Sequence, residues 1–493
     1  METLNAISKR KNCIKKGNSF IDKGKGLAYI YCYMKSINEE AARIFQKIVG
    51  KQHFSMKPAD LELYSYDAAN RPSRPEAVIH PGGTDEVSRI MKAAWNLEVP
   101  VTPRGAGAGF TGGSVPVMGG LVLTTKRMNK IREIAPEDLI VVTEPGVITE
   151  DLQREVERFG LFYPPDPASK DFSTIGGNVA ESAGGPRAFK HGVTSHYLLG
   201  LEAVLPDGTV IHTGSRTIKN VVGYNLTALI AGSEGTLAII TSITLRLIPK
   251  PPHTRTIQLL FNTTDSAART VASIIAAKVV PATMEIMDDY CIDLANKYAG
   301  ASLPDGARAA IIIECDGEEE EVKREIGRVI EIAKKNGSIR TLAAANTEEA
   351  DSLWKIRRSL SPIIAKLWDV KVNEDIVVPR SRIPDTFGII KHLQKKYRLD
   401  MPTFGHAGDG NLHVNIMYNK NDIGADERAK QTAKELFEYV VSIGGSISGE
   451  HGIGITKAPF LKIELSEAEI ALLKRIKAAF DPKGILNPGK IFD

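Results

Sequence analysis

Four cysteines in 493 residues, Cys13, Cys32, Cys291 and Cys315, are too scattered for a disulfide framework, and none forms a C-x-x-C pair. A reducing, cytoplasmic setting is expected from this usage. The same count excludes an iron–sulfur cluster held by this chain alone in the usual four-cysteine manner. No uninterrupted apolar run approaches the ~20 residues that a membrane helix needs. Strong charge of either sign is also missing: the formal net charge is +4, and residues 1 to 36 carry eight Lys/Arg against Glu2 and Asp22, which leaves the remainder near −2. With its basic excess on a polar tail, the chain offers no basic face to nucleic acid. That tail also lacks an apolar core with a small-residue cleavage site, so it does not read as a secretory signal.

What is present is ordinary for a globular protein: 43% hydrophobic and 25% charged residues. A chain of this length exceeds one hydrophobic core, and two large domains fit best. Residues 1–36 read as a basic, disordered extension; Met34 is followed by a periodic helix through Ile44, Phe45 and Ile48, so a functional start there would leave 33 residues upstream. Next come Ala77–Ile79 as strand, a helix capped by Thr84 with Val87, Ile90, Met91 and Ala94 on one face, and Val99–Val101 as strand. A second such unit runs from Leu139 to Phe159, ending at Gly160. From Phe162 to Gly235 the texture is glycine-rich turns and short strands. Leu237–Ile248 reads as strand, and Pro249, Pro251 and Pro252 then mark a domain boundary near 252. Beyond it strands (256–261, 309–315) and helices (267–278, 319–335) alternate again, with Glu318–Glu321 read as a solvated helix start.

The run Arg104-Gly105-Ala106-Gly107-Ala108-Gly109-Phe110-Thr111-Gly112-Gly113-Ser114 directly follows a strand. A Rossmann loop would open a helix; Val115 to Leu123 instead reads as turn and strand, so this is a phosphate cradle of another kind or none. Small residues let successive backbone N–H groups point into one concavity. Three further small-residue segments follow, at Ser173–Asn178, Ala183–Gly185 and Gly232–Thr236. Four in order over about 130 residues suggest a long cofactor threaded through one domain.

Gly405-His406-Ala407-Gly408-Asp409-Gly410-Asn411-Leu412-His413-Val414-Asn415 is the most chemically loaded stretch. On a strand, His413 and Asn415 share one face and Leu412, Val414 and Ile416 the other. His406 precedes them on a glycine loop, and Glu450 and His451 lie in Gly449–Gly454. Two His and one Glu suit zinc or a similar divalent ion with a position left open, although spacing alone leaves a packed polar cluster equally open. Arg357 and Ser361, four apart in Trp354–Ser361, share a helix face, and Pro362 is expected to end or kink that helix.

Arg104 to Pro116, Pro164-Pro165-Asp166-Pro167 leading to Ile175-Gly176-Gly177-Asn178, and Gly232 to Leu237 together resemble the FAD domain of the vanillyl-alcohol-oxidase-type flavoproteins. Over residues 38–493 the chain is most similar to the D-lactate dehydrogenases, D-2-hydroxyglutarate dehydrogenases and glycolate oxidase FAD subunits of that group. The resemblance implies an α+β fold: a two-part FAD-binding domain over 37–252, an α/β substrate domain with an antiparallel sheet over 253–470, and a C-terminal segment, 471–493, returning to the flavin. It implies that FAD lies against Arg104 to Gly109, Thr111 to Ser114, Pro165, Asp166, Thr174 to Asn178, Ala183, Gly184, Gly185, Glu234, Gly235 and Asn487. Some relatives attach the flavin through a loop histidine; none lies between His80 and His191 here, so a non-covalent flavin is expected.

By the same resemblance His406, His413 and Glu450 bind the metal, zinc first among the candidates, and Asn415 and His451 face the substrate. Arg357 then matches the carboxylate-binding arginine, Ser361 stands where some relatives have Thr, and His451 serves as base. Lys371 lies two residues further from Pro379 than the lysine that reads a second carboxylate in hydroxyglutarate enzymes, with Asn373 at the matched spacing. The expected activity is oxidation of a small D-2-hydroxy acid, D-lactate or glycolate, with hydride transfer to the flavin. The expected electron acceptor is an electron-transfer flavoprotein, an iron–sulfur subunit, a quinone or a cytochrome, and peripheral membrane association through such a partner is compatible with the chain. The alternatives are an oxygen-using oxidase of an aldonolactone or aromatic alcohol and a non-catalytic flavin- or metal-binding subunit.

Overall fold

The computed structural model describes residues 34–301 and 303–492. The reading of an extension over 1–36 falls mostly outside them; within 34–36, Lys35 and Ser36 are exposed, and Lys35 N donates to Glu98 O at 3.1 Å.

The first sheet has four short strands, Phe54–Ser55, Ala77–Ile79, Leu121–Thr124 and Val101–Arg104, in that order, the last three mutually parallel. Helices Glu39–Val49 and Thr84–Leu97 cover it, burying Phe45, Val87, Ile90, Met91 and Ala94. Thr84 is not the cap of its helix. Gly83 is, and the Thr84 hydroxyl instead donates to Glu202 Oε1 from the next sheet. The expected strand Val99–Val101 lies slightly later, at Val101–Arg104. That shift leaves Val101 free to pair in parallel with Leu486, so the end of the chain lies beside this sheet.

The second sheet is antiparallel, in the order Ile131–Ala135, Ile140–Thr143, Ile239–Arg246, Leu198–Val204 and Val210–Gly214. The stretch expected as turns and short strands also contains four short helices, at Ile175–Glu181, Ala188–His191, Thr194–Tyr197 and Leu226–Ile230. Gly176 and Gly177 are helical in the first of these because the Thr174 hydroxyl accepts from Gly177 N. A methyl on Gly176 would also fall 2.5 Å from Pro145 Cβ.

The third sheet is antiparallel throughout and orders seven strands: Ser338–Ala343, His253–Phe261, Ala309–Gly317, Thr283–Met287, Thr403–His406, Asn411–Tyr418 and Val370–Val377. Helices Thr264–Ala276, Glu319–Lys335, Ile383–Tyr397 and Ala425–Ser442 bury the larger apolar cluster on one face. Helices Asp289–Tyr298 and Thr347–Leu367 cover part of the other. Pro362 does not end the second of these, which runs on to Leu367. A proline removes one backbone donor, but Leu360 and Ile364 on either side are fully buried against the sheet and hold the helix in place. Glu467–Phe480 is a single helix, crossing the division expected at 470, and Lys477 from it donates to Thr236 O and Leu486 O, both at 2.8 Å.

Candidate active site

The four small-residue segments meet in one cleft of about 1330 Å³, open solvent included. Arg104 to Gly109, Gly113, Ser114, Thr174, Gly176, Gly177, Asn178, Ala183, Glu234 and Gly235 line it. The first loop gives it backbone rather than bulk: a methyl placed on Gly109 would meet nothing within 4 Å. The remaining expected cofactor residues stand behind this wall. Ile175 is in the apolar core; Pro165 O accepts from Gln153, and Asp166 from Arg187 N. Gly185, with φ +122°, packs against the Asp166 carbonyl, and a methyl on Gly184 would fall 2.7 Å from Glu450 Oε2. Thr111 and Gly112 contact the far half of the chain, Thr111 Oγ1 donating to His451 O at 3.0 Å and Gly112 packing on Ile455. Asn487 ties the segments together through Nδ2, which donates to Gly113 O at 2.9 Å and Glu234 O at 2.7 Å. Phe110, Ser169 and Glu181 also line the cleft, as do Glu450 and His451.

Those last two connect the cleft to the seven-stranded sheet. Alternation puts Glu285 and Met287, Phe404 and His406, and His413, Asn415 and Met417 on one face, while Leu412, Val414 and Ile416 enter the large core on the other. Register then aligns the polar residues: Glu285 opposite His406, Asp375 opposite His413, Asn373 opposite Asn415 and Lys371 opposite Met417. From the helix above, Arg357 is buried with its guanidinium 4.2 Å over the Phe404 ring.

His406 Nε2, His413 Nε2 and Glu450 Oε1 converge, at separations of 3.3, 3.4 and 3.7 Å. Donors about 2.0–2.1 Å from a tetrahedral ion would be roughly 3.4 Å apart. His406 Nδ1 is hydrogen-bonded to Glu285 Oε1, so Nε2, once unprotonated, would turn its lone pair toward His413 Nε2. Two unprotonated imidazole nitrogens and a carboxylate oxygen facing one another would be relieved by a cation, so the donor set fits a divalent metal. Burial holds His413 well below the ordinary histidine range, in the neutral form a ligand requires. Burial opposes charge on His406 too, but Glu285 and Glu450 together raise it. Asp375, His413, Glu450 and His451 also lie within reach of a common centre, their donor atoms within 4.8 Å of one another. Asp375 is nevertheless already committed, Oδ2 accepting from Gly449 N, Glu450 N and His451 N at 2.8–3.0 Å and Oδ1 from Asn411 at 2.6 Å. It shapes the turn that presents Glu450 and His451.

The His451 ring stacks between Phe110, 4.9 Å away, and His413, 5.3 Å away. Burial holds it below the ordinary histidine range, and its Nδ1 has no hydrogen-bond partner, the nearest carboxylate oxygen being Asp375 Oδ2 at 4.0 Å. Arg357 Nε donates to Glu285 Oε2 at 2.8 Å, which leaves its terminal nitrogens for a ligand. Lys371 Nζ donates to Ser361 Oγ at 2.8 Å and sits 5.6 Å over the Phe110 ring. Burial and then Arg357 lower it to about 8. Asn415 is fully committed, donating to Pro402 O and accepting from Asn373.

Glu285 and Asp375 were not expected from the sequence, and each holds two site residues at once. Replacing Asp375 with Asn should be costly, since Lys457, itself buried and 3.9 Å from Asp375 Oδ2, would lose its counter-charge. A loss of ~3–5 kcal/mol in urea unfolding is expected; a change under ~1 kcal/mol would show that the turn is held by other means.

The wall of the cleft and the polar sheet face fall largely in two regions that family models match as parts of an FAD-linked oxidase. The FAD binding domain family model matches residues 75–214, and that of the FAD linked oxidases, C-terminal domain, matches 250–491. Glycolate oxidase subunit GlcD of Bacillus subtilis (strain 168) is 45% identical over 447 residues, covering 90% of this chain and 95% of that one. D-lactate dehydrogenase of Archaeoglobus fulgidus is 36% identical over 438 residues, 87% of this chain and 95% of that one. Among solved structures, p-cresol methylhydroxylase with substrate bound superposes with a TM-score of 0.76 at 19% identity over 92% of this chain and 96% of that one. The chain belongs to the FAD-linked oxidases of the vanillyl-alcohol-oxidase and p-cresol-methylhydroxylase type, and it is an FAD-dependent oxidoreductase.

Proposed function

We propose that the substrate is a small D-2-hydroxy acid, glycolate or D-lactate, oxidised to the 2-oxo acid at the junction of the cofactor cleft and the polar sheet face. The observation that carries this reading is the convergence of three metal-type donors, an arginine with free terminal nitrogens and a neutral buried histidine beside one cleft. FAD, held without a covalent bond, supplies the hydride acceptor. A divalent ion, zinc first among the candidates, held by His406, His413 and Glu450 would supply positive charge that favours the alkoxide.

Arg357 fixes the substrate carboxylate through its terminal nitrogens, and Glu285 fixes Arg357. His451 takes the hydroxyl proton at Nε2, and Asp375, 4.0 Å from Nδ1, favours the resulting imidazolium. Phe110 keeps the ring in register and excludes water from that side.

Lys371 supplies a second cation to the same pocket, and no carboxylate pairs with it among the described residues. Lys371→Met should raise KM for the hydroxy acid ~10-fold while leaving kcat within a few-fold, because a carboxylate contact made equally in both states is lost. An equal fall in kcat would contradict a binding role. Electrons are expected to leave through a separate carrier, such as an iron–sulfur subunit, electron-transfer flavoprotein, quinone or cytochrome. Turnover should therefore appear with an artificial electron-carrier dye, and rapid stoichiometric reduction of NAD would overturn this part of the reading. Among the described residues no helix is long and apolar enough to cross a membrane.

A further inference from the structure

Glu181 ends the helix Ile175–Glu181 and lines the cofactor cleft, and no step described above uses it. Its carboxyl group occupies a slot between glycines from the two halves of the chain. A methyl built on Gly113 would lie 3.0 Å from Oε1, and one built on Gly452 would lie 2.6 Å from Oε2. Glu234 enters the same slot, its Oε1 2.9 Å from that position on Gly452.

The two acids are not equivalent. Burial raises Glu234 as well, but Glu234 accepts hydrogen bonds from Ile453 N and Gly454 N, both at 2.7 Å, and these donors favour its carboxylate over that of its neighbour. Glu181 has no donor; its Oε2 is buried and lacks any hydrogen-bond partner among the described residues. Next to an anion and removed from water, a carboxyl group favours its neutral form. Burial, followed by Glu234 and Asp67, accordingly pushes Glu181 well above the ordinary carboxylate range. A neutral acid carries an O–H that needs an acceptor; with Oε2 enclosed beside Gly452, Oε1 is the oxygen left to meet one in the cleft that Glu181 lines.

We propose that Glu181 is a cofactor-binding residue, a carboxylic acid that donates its O–H to an acceptor atom of the bound flavin. Glu234 keeps that proton on Glu181 while holding the 453–454 backbone, so one carboxyl pair joins flavin binding to the turn that carries Glu450 and His451. The inference rests on FAD binding alone and stands apart from the choice of substrate or metal. A donor of this kind strengthens as negative charge grows on its acceptor, so Glu181 favours the reduced flavin.

Three measurements on the FAD-loaded protein test it. The infrared difference spectrum between oxidised and reduced protein should contain a protonated-carboxyl C=O band that is missing from Glu181→Gln. Glu181→Gln retains a neutral donor and should bind FAD within about threefold of the natural protein. Glu181→Ala should bind FAD ~10-fold more weakly, as expected for one hydrogen bond, and its flavin potential should fall by ~30 mV if the preference for reduced flavin drops tenfold. A carboxyl band that persists in Glu181→Gln, a raised potential in that variant, or natural affinity and potential in Glu181→Ala would each overturn the proposal. If Glu181→Ala does not fold, the infrared band and the potential of Glu181→Gln decide.

Discussion

His413→Ala should leave the protein yellow with bound FAD but lose both its divalent metal and, to within a small residue, its turnover. His413 contributes one of three donor atoms that lie 3.3–3.7 Å apart, and two such donors hold a metal poorly. A chelator should reproduce the loss in the unaltered protein, with activity restored in part by zinc, manganese or cobalt. His451→Asn should behave differently. It removes a ring that stacks on His413 but is not one of the converging donors, so metal and flavin should remain while flavin reduction slows by ~10²-fold or more. Metal analysis and single-turnover reduction, run on both variants, separate the two roles. If His413→Ala retains full activity, or His451→Asn sheds the metal, the assignment of roles fails.

Gly109→Leu should abolish flavin binding without unfolding the protein. Many glycines here are structural: a methyl on Gly105 would fall 2.3 Å from Thr174 Oγ1, so its replacement disturbs the wall itself. Gly109 faces only open cleft, with nothing within 4 Å of an added methyl and no positive φ. A leucine there fills space intended for cofactor and strains no neighbour. A colourless chain with circular dichroism and an unfolding midpoint like those of the unaltered apoprotein is expected. A yellow Gly109→Leu would place the cofactor elsewhere in the cleft.

The chemistry-bearing residues were legible in the sequence where they sit in local patterns. Period-two alternation alone put His413 and Asn415 on one face, and that face is the polar one. Four small-residue segments in order suggested a threaded cofactor, and they line one cleft. Residues whose role arises from register were not legible. Glu285 is the single acid of its short strand, and Asp375 is one of several polar residues in its own, beside Lys371, Asn373 and Glu374; nothing local shows that they lie opposite His406 and His413. Lys371 appeared displaced from a familiar spacing; two residues along a strand returns to the same face, so it still reaches Ser361 and Phe110. Thr84 misled as a cap, and Pro362 did not end its helix, for a related reason: tertiary partners, Glu202 in one case and Leu360 and Ile364 in the other, outweighed a local preference.

Anaerobic mixing of the purified, FAD-loaded protein with single hydroxy acids tests the central claim most directly, with the oxidised flavin followed at its visible band. D-lactate or glycolate should bleach the flavin in one turnover, L-lactate should do so far more slowly, and chelation should stop the bleaching without releasing FAD. Bleaching by an aromatic alcohol but by none of these acids, with no effect of a chelator, would contradict the hydroxy-acid and metal assignments together.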